Sequence, residues 1–462
     1  MRLLTKMLLV LGMTIAILVP LTMIRGTIQE RQAYRQQAVA DIARSYAGAQ
    51  AFAGPVLVVP YSERVEVEEK DPQGVVRKVM RERWSQWTFF PETLALQGHL
   101  HPDTRQRGLH KVRIYELQAQ ADAAFDVVIP SDGERPRRIG APRLGYAIAD
   151  VRGLVGAPRL RIVGIGQDGI DQAIEQGGPR GSGVHALLPV PPAGSRLRFA
   201  SRMDFVLGGT ESLALAPLGR RNRFAIDSSW PHPQFGGSFL PRTRTISDRG
   251  FRADWEVSSL ATDAQAQYLS GKPLPGAVAP GSGGRATEAP DALDAIALSL
   301  VDPVNVYVQA DRASKYGLLF VLLTFVGFFM YELIRQLPIH PIQYGLVGLA
   351  LAIFFLLLIS LSEHIEFWIA YLIASVACIG LLGVYLSSVL KSHARGWSFA
   401  GALTLLYAAL YGLLVSEDNA LVLGSGLLFV VLATIMIVTR KVDWYALQQQ
   451  RLGATETHFR TA

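Results

Sequence analysis

Glu363, His364 and Glu366, in the stretch ISLSEHIEFW, carry the side chains of a proton relay or a cation site. Carboxylate oxygens ligate hard cations, and an imidazole changes charge near neutral pH. Their surroundings make them conspicuous: LVGLALAIFFLLL lies on one side and IAYLIASVACIGLLGVYL on the other. Glu417 and Asp418 form a second acidic pair between apolar blocks, and Glu332 stands near the end of another. Ionisable groups at membrane depth mark ion and proton pathways, so the depth of these residues decides whether the chemistry is that of transport.

The elements that must position them follow from composition. The chain has 462 residues, half of them hydrophobic, and a mean hydropathy of +0.25. That is high for a soluble protein and low for one lying wholly in a membrane. Residues 8–24 are apolar, 25–312 are mixed, and 316–438 are apolar in blocks. The start, MRLLTKMLLVLGMTIAILVPLTMIRG, offers no small-residue cleavage site and reads as an uncleaved anchor with Pro20 as a kink point. Five further spans are expected at 316–334, 343–361, 367–389, 398–415 and 420–438, each near the roughly 20 residues a crossing helix needs. The expected fold class is a membrane protein: a six-span α-helical bundle with a large β-rich periplasmic domain. Its divisions are an anchor (1–25), a periplasmic β-rich domain (26–312), a five-helix membrane domain (313–440) and a cytoplasmic tail (441–462).

Basic residues orient the spans. With Arg2 and Lys6 in the cytoplasm, Arg335, His340, Lys391, Arg395, Arg440 and Lys441 fall on the same side. The two remaining short connections hold Glu363, Glu366, Glu417 and Asp418 and no Lys or Arg, and fall outside with the 25–312 region. Both termini are then cytoplasmic. An unbroken helix through the apolar run around Glu363 would be roughly 68 Å long at about 1.5 Å per residue, more than twice the hydrocarbon thickness. A charge at mid-depth would cost at least about 2.5 kcal/mol. Both arguments place SEHIE at the outer turn between two spans. There the acidic residues form either a shared mouth for cations or a docking surface, against the simpler reading of loop polarity that caps a turn. Glu332 reads as an i, i+3 partner of Arg335 or as an end-of-span carboxylate reaching the interface.

In the soluble region, residues 26–50 have helical spacing, and Gly54-Pro55 is expected to end that helix. VLVVPY, RVEVEEK and VVRKVMRERW then read as strands, the last two joined by a turn at Asp71-Pro72-Gln73-Gly74. Further strand-like segments run to FRADWEVSSL and point to an antiparallel sandwich or barrel rather than a parallel α/β sheet. FPETLALQGHL and GGTESLALAPLG hint at a duplicated β unit. The Pro/Gly/Ala/Ser tract 271–290 reads as a flexible loop.

Specific catalytic patterns are missing: no G-x-S-x-G, P-loop or H-E-x-x-H occurs. GIGQDG (164–169) matches G-x-G-x-x-G, but only the short helical candidate IDQAIEQ follows, and no acidic residue lies near 20 positions on, so it reads as a strand-end turn. His99 and His101 are too few for a metal site. The loop SSWPHPQFGGSFLP, with Trp230, His232 and Phe235, is either a recognition loop or a corner packed on the β core. No enzyme activity, cofactor or metal is expected. The net charge of +7 is spread among acidic residues with no basic stripe, which argues against nucleic acid. The single cysteine, Cys378, leaves the soluble region without disulfides.

GPVLVVPY, RGLHKVRIYE, SSWPHPQFGGSFLP, KYGLLFVLLTFVGFFMYE, LSEHIEFWIAYLIAS and LVLGSGLLFVVLATIMIVTRKVDWY together resemble the CreD family, the cell-envelope integrity inner membrane proteins of Gram-negative bacteria. The resemblance implies a role in envelope stress, colicin tolerance and the response to β-lactams, with expression linked to a sensor-kinase/response-regulator pair. It supplies a cellular role and no catalytic residue. The expected function is a non-enzymatic support of envelope integrity through an envelope ligand or protein partner. The alternative is a transporter or channel with an acidic periplasmic mouth. The lipid bilayer is the partner common to both.

Overall fold

A computed structural model describes residues 3–70, 76–131, 136–165, 171–179, 181–275, 292–300, 306–335, 340–389, 392–416 and 420–440. The turn expected at 71–74, residues 276–290 of the Pro/Gly tract, Glu417, Asp418 and the tail 441–462 lie outside the described residues. The chain divides into two compact units, one made of Met1–Tyr34 with Val304–Ala462, the other of Arg35–Pro303.

Helix α1 (Leu3–Ser45) is continuous through Pro20. It stops short of the expected position 50, and Gly54-Pro55 is not its breaker. Residues from Gln50 onward are taken by strand β1 (Gln50–Lys70), whose first four residues pair in parallel with Leu213–Ala216. Gly54 lies inside that strand with φ +131, where a Cβ would come within 2.9 Å of the Gly145 carbonyl oxygen. Only glycine tolerates both conditions.

The strands after β1 are β2 (Val76–Phe89), β3 (Thr93–Arg107), β4 (His110–Val128), β5 (Arg137–Ile139), β6 (Arg143–Ile148), β7 (Arg159–Val163), β8 (Asp171–Gln172), β9 (Glu175–Gly178) and β10 (Gly181–Leu187). Then follow β11 (Arg196–Thr210), β12 (Ser212–Ala216), β13 (Arg221–Ser228), β14 (Pro233–Gly237), β15 (Thr243–Ser247), β16 (Gly250–Ser258), the short helix α2 (Ala264–Leu269) and β17 (Ile296–Leu300). Among the described residues they form two sheets. One runs β14-β17-β12-β1-β6-β10-β9, with β2 and β5 also on β1; the other runs β15-β16-β13-β3-β4-β11-β7-β8.

Most pairings are antiparallel, as the turn-rich sequence suggests, but β1–β12 and β3–β13 are parallel. The two similar passages fall in different sheets, TLAL in β3 and SLALA in β12. The helical candidate IDQAIEQ is instead strand β8 and the start of β9, and β7 ends directly before Gly164 at φ +101.

Side chains alternate across a strand, and in β3, β4 and β11 every second residue enters the core between the sheets, while the opposite face of β1 and β6 packs on α2 through Val58, Ala147 and Tyr268. Along β11, Phe199, Met203, Phe205 and Leu207 are buried while Arg196, Arg198 and Arg202 face outward. The two sheets meet over Leu96, Leu117, Phe125 and Trp255 from one and Phe52, Tyr146, Ile148 and Leu298 from the other. Each such side chain contributes about 1.5–3 kcal/mol when fully removed from water, and this sandwich holds without a disulfide.

In the other unit, α3 (Val306–Arg335), α4 (Pro341–Ser362), α5 (Phe367–Val389) and α6 (His393–Val415) share a core with the first part of α1, and α7 (Ala420–Thr439) lies against α6. Five helices, α1 and α3 to α6, are long and apolar enough to cross a membrane, and α7 adds a shorter apolar stretch, Val422–Ile437. Apolar residues ring each helix. On α4, Tyr344, Leu351, Phe354 and Leu358 are buried while Leu346, Leu349, Ile353 and Leu356 are exposed. A helix apolar all round belongs in lipid. His340 and Gln343 form a capping box at the start of α4, satisfying backbone donors where Pro341 begins the helix.

Candidate functional site

Within SEHIE, Glu363 to Glu366 form a four-residue link between α4 and α5. Helix α4 closes at Ser362, whose hydroxyl donates to the Ile359 carbonyl, and the amides of His364 and Ile365 both bond the Leu361 carbonyl. Helix α5 opens with the Glu366 carbonyl accepting from Ile369 and Ala370. Ile365 packs into the bundle core between them. The local sequence therefore makes a tight helix–helix turn, with Ile365 pointing in and His364 and Glu366 left at the rim.

Each polar residue has its own environment. Glu363 is turned inward, with its side chain only 7% exposed, and pairs with Arg31 of α1, the Nε to Oε1 distance being 3.4 Å. Its Oε1 accepts no hydrogen bond, although it is buried. His364 is exposed, with Nδ1 bonded to the Ser360 carbonyl at 3.2 Å. Glu366 accepts from the Trp368 indole at 2.7 Å. Arg31 was missed by sequence reasoning because it lies far away along the chain. Its one available signal was a cation just beyond the anchor span, at the depth of the acidic turn.

Glu332 stands apart from these three. It is buried, and Tyr344 of α4 donates to its Oε2 at 2.8 Å. Phe328 and Phe325 enclose the Tyr344 ring. Glu363 lies nineteen positions after Tyr344, just past the end of α4, or about 28 Å along the helix at 1.5 Å per residue. One shared cluster is thus not formed: Glu363, His364 and Glu366 lie together, Glu332 lies near the other end of the bundle, and Glu417 and Asp418 fall outside the described residues. The reading of Glu332 as an interface-seeking carboxylate is corrected by its burial. A neighbouring helix supplies a phenol that water would otherwise replace. The Arg335 side chain is likewise outside the described residues.

A second polar group in the bundle had no sequence motif. The Tyr371 hydroxyl donates to the Tyr407 carbonyl, the Tyr407 hydroxyl to Cys378 Sγ at 3.1 Å, and the Cys378 thiol to the Ala350 carbonyl. Tyr407 also stands edge-on to Phe320 and Phe354. These bonds link α4, α5 and α6 and satisfy the buried Tyr371 and Tyr407 hydroxyls and the Cys378 thiol.

In the sandwich, the aromatic loop is tied down. Trp230 donates to the His232 carbonyl and carries the Arg113 guanidinium 4.0 Å above its ring. Phe235, on β14, meets Phe251 and Trp255 edge-on at 5.7 Å. His232 is exposed. Trp230 and Phe235 therefore pack at the margin of the core. His99 is hydrogen-bonded to Asp227 and its ring lies 4.3 Å from that of His101. No group of three or more metal-ligating side chains occurs among the described residues.

The geometry of membrane helices plus sandwich agrees with comparison to known proteins. The family model described as inner membrane protein CreD matches residues 2–445. The chain belongs to the CreD family. Inner membrane protein CreD of Escherichia coli (strain K12) is 34% identical over 455 residues, spanning 98% of this chain and 96% of that one. Membership and the apolar helices together make this a multi-pass inner membrane protein. Among solved structures, an M1 zinc metallopeptidase from Deinococcus radiodurans is 11% identical, covers 36% of this chain and 38% of its own, and has a TM-score of 0.17. At that score the likeness carries no argument.

Proposed function

We propose that this CreD-family protein supports cell-envelope integrity and tolerance of β-lactams and colicins. It acts without catalysing a reaction, by binding an envelope ligand or a protein partner through a periplasmic β-rich unit. The observation that carries this reading is the match to inner membrane protein CreD across almost the whole chain. Charge supports the orientation: with six spans, the short basic connections share the cytoplasmic side with both termini. The acidic turn is then periplasmic, where Glu363 and Arg31 join two spans and the exposed His364 faces a partner.

The test is replacement of Glu363, His364 and Glu366 with Gln, scored for β-lactam and colicin tolerance at matched protein levels in cells lacking the native chain. Loss of tolerance is expected. Because Glu363→Gln alone strands Arg31, Arg31→Gln with Glu363→Gln serves as the folded control. Full tolerance in the triple variant removes the turn from the mechanism.

The alternative, a transporter or channel, is favoured by the buried Glu332–Tyr344 pair, because intramembrane carboxylates serve proton paths. Against an acidic mouth stand the Arg31 partner of Glu363 and the Trp368 partner of Glu366. Proton flux into proteoliposomes that is lost in Glu332→Gln would establish transport, and flux equal to empty vesicles would discard it.

A further inference from the structure

The outward face of the β15–β8 sheet is mostly a lattice of ion pairs. Asp122 holds Arg202, Asp126 holds Arg196 and Arg198, and Glu256 holds Arg223 and Arg242. One region breaks this pattern. Where β13, β3, β4, β11 and β7 run side by side, their outward positions carry Asp227, His99, Gln97, Gln118, Gln120, Asp204 and Arg159. Residues 155–157 rise along one side as a wall, held by the Val155 amide on the Val206 carbonyl. The result is a shallow, largely open concavity of about 530 Å³, against the roughly 300–1,000 Å³ of small-molecule sites. His99 and Asp227 bond each other, and Gln120 donates to Asp122. The side chains of Gln97, Gln118, Asp204 and Arg159 make no hydrogen bond or ion pair among the described residues.

We infer that this concavity is a binding site for an uncharged saccharide, a glycan segment of the envelope. The inference deepens the function proposed above and rests on its placing of the β-rich unit outside the cytoplasm. Three features select the ligand class. Carboxamides donate and accept at once, and carboxylates accept from hydroxyls, so this lining matches a molecule dense in hydroxyl and amide groups. Two carboxylates face one guanidinium, which disfavours phosphate-bearing ligands. The central floor strands β13, β3, β4 and β11 have a partner strand on each side, and β8 covers β7 at Leu160 and Arg161, so an extended peptide finds only a short edge to add to. A single cation does not bridge the acidic groups either. Asp204 and Asp227 sit three strands apart, about 14 Å at ~4.8 Å per strand.

The test uses the full chain in phospholipid nanodiscs, so that no sugar-headed detergent competes. Chitotetraose and maltotetraose are the neutral probes, inorganic phosphate the anionic one, and calorimetry the readout. Binding of a neutral oligosaccharide is expected. Gln97→Ala with Gln118→Ala, and separately Asp204→Asn, should weaken it about tenfold or more. These positions face solvent, and an unchanged melting temperature confirms that the variants fold. Failure of both oligosaccharides to bind, equal affinity in the variants, or preferential binding of phosphate would each overturn the site. If neither sugar binds but the chain still restores β-lactam tolerance, the site falls and the envelope role stands. If the double variant loses sugar binding with tolerance intact, the site stands and ligand binding is no longer the basis of the envelope role.

Discussion

At the scale of single residues, the decisive pair is Arg31 with Glu363. A carboxylate whose side chain is 7% exposed has given up most of its hydration, and Arg31 is the cation positioned to offset that loss. Arg31→Ala is expected to destabilise the bundle by about 1–3 kcal/mol, the cost of an unsatisfied buried group. Glu363→Gln in the Arg31→Ala background should recover most of it. Melting of the two single variants and the double variant gives the coupling, and strict additivity would mean that the pair is incidental. Glu63 of β1 offers a pH-dependent counterpart outside the membrane spans. The hydrogen bond from Arg83, joined by Arg137, holds its carboxyl below the ordinary value of 4.5. A lowered folded pKa adds stability that is present above about pH 4.5 and is lost as pH falls through the lowered value. Glu63→Gln should therefore melt below the parent at pH 6, with the gap narrowing at an acid pH below 4.5 as the carboxyl takes up its proton. An equal gap at both pH values would assign the effect to packing.

At the scale of elements, small residues set how closely the helices approach. A Cβ on Gly396 of α6 would meet the Ser387 backbone of α5 at 2.6 Å, and backbone cannot move aside as a side-chain end can. Gly396→Val is expected to cost about 1–3 kcal/mol or more through overpacking, read as a lower melting temperature in detergent. Gly412, with open space around its Cβ position, is the control, where Ala should change little. The helices themselves were legible: blocks of apolar residues at spanning length are hard to confuse with anything else, and the expected 367–389 is the observed Phe367–Val389. The strand period was also legible, but the partners were not. Nothing local in SLALA or in TLAL says that one strand lies beside β1 and the other beside β13, both in parallel.

At the scale of the whole molecule, orientation is the open property that charge predicts and labelling can read. Cys378 is the only cysteine and is buried, so the background is low. Leu260→Cys, at a position 97% exposed in the sandwich, should react with a membrane-impermeant maleimide in cells with a permeabilised outer membrane. His393→Cys, at the start of α6, should react only after the inner membrane is broken. The reverse pattern would overturn the proposed topology.

The sequence alone determined where the apolar spans lie, that SEHIE is a turn between two of them, and that the middle of the chain is β-rich. These are consequences of local composition and period, which each segment carries by itself. The tertiary structure decided what each polar group meets: Arg31 beside Glu363, Tyr344 on Glu332, Trp230 and Phe235 against the sandwich core, and Gln97, Gln118 and Asp204 around one concavity. Such pairings join residues far apart in the chain. They arise from the packing that buries apolar surface and from strand register, neither of which is written in any one segment.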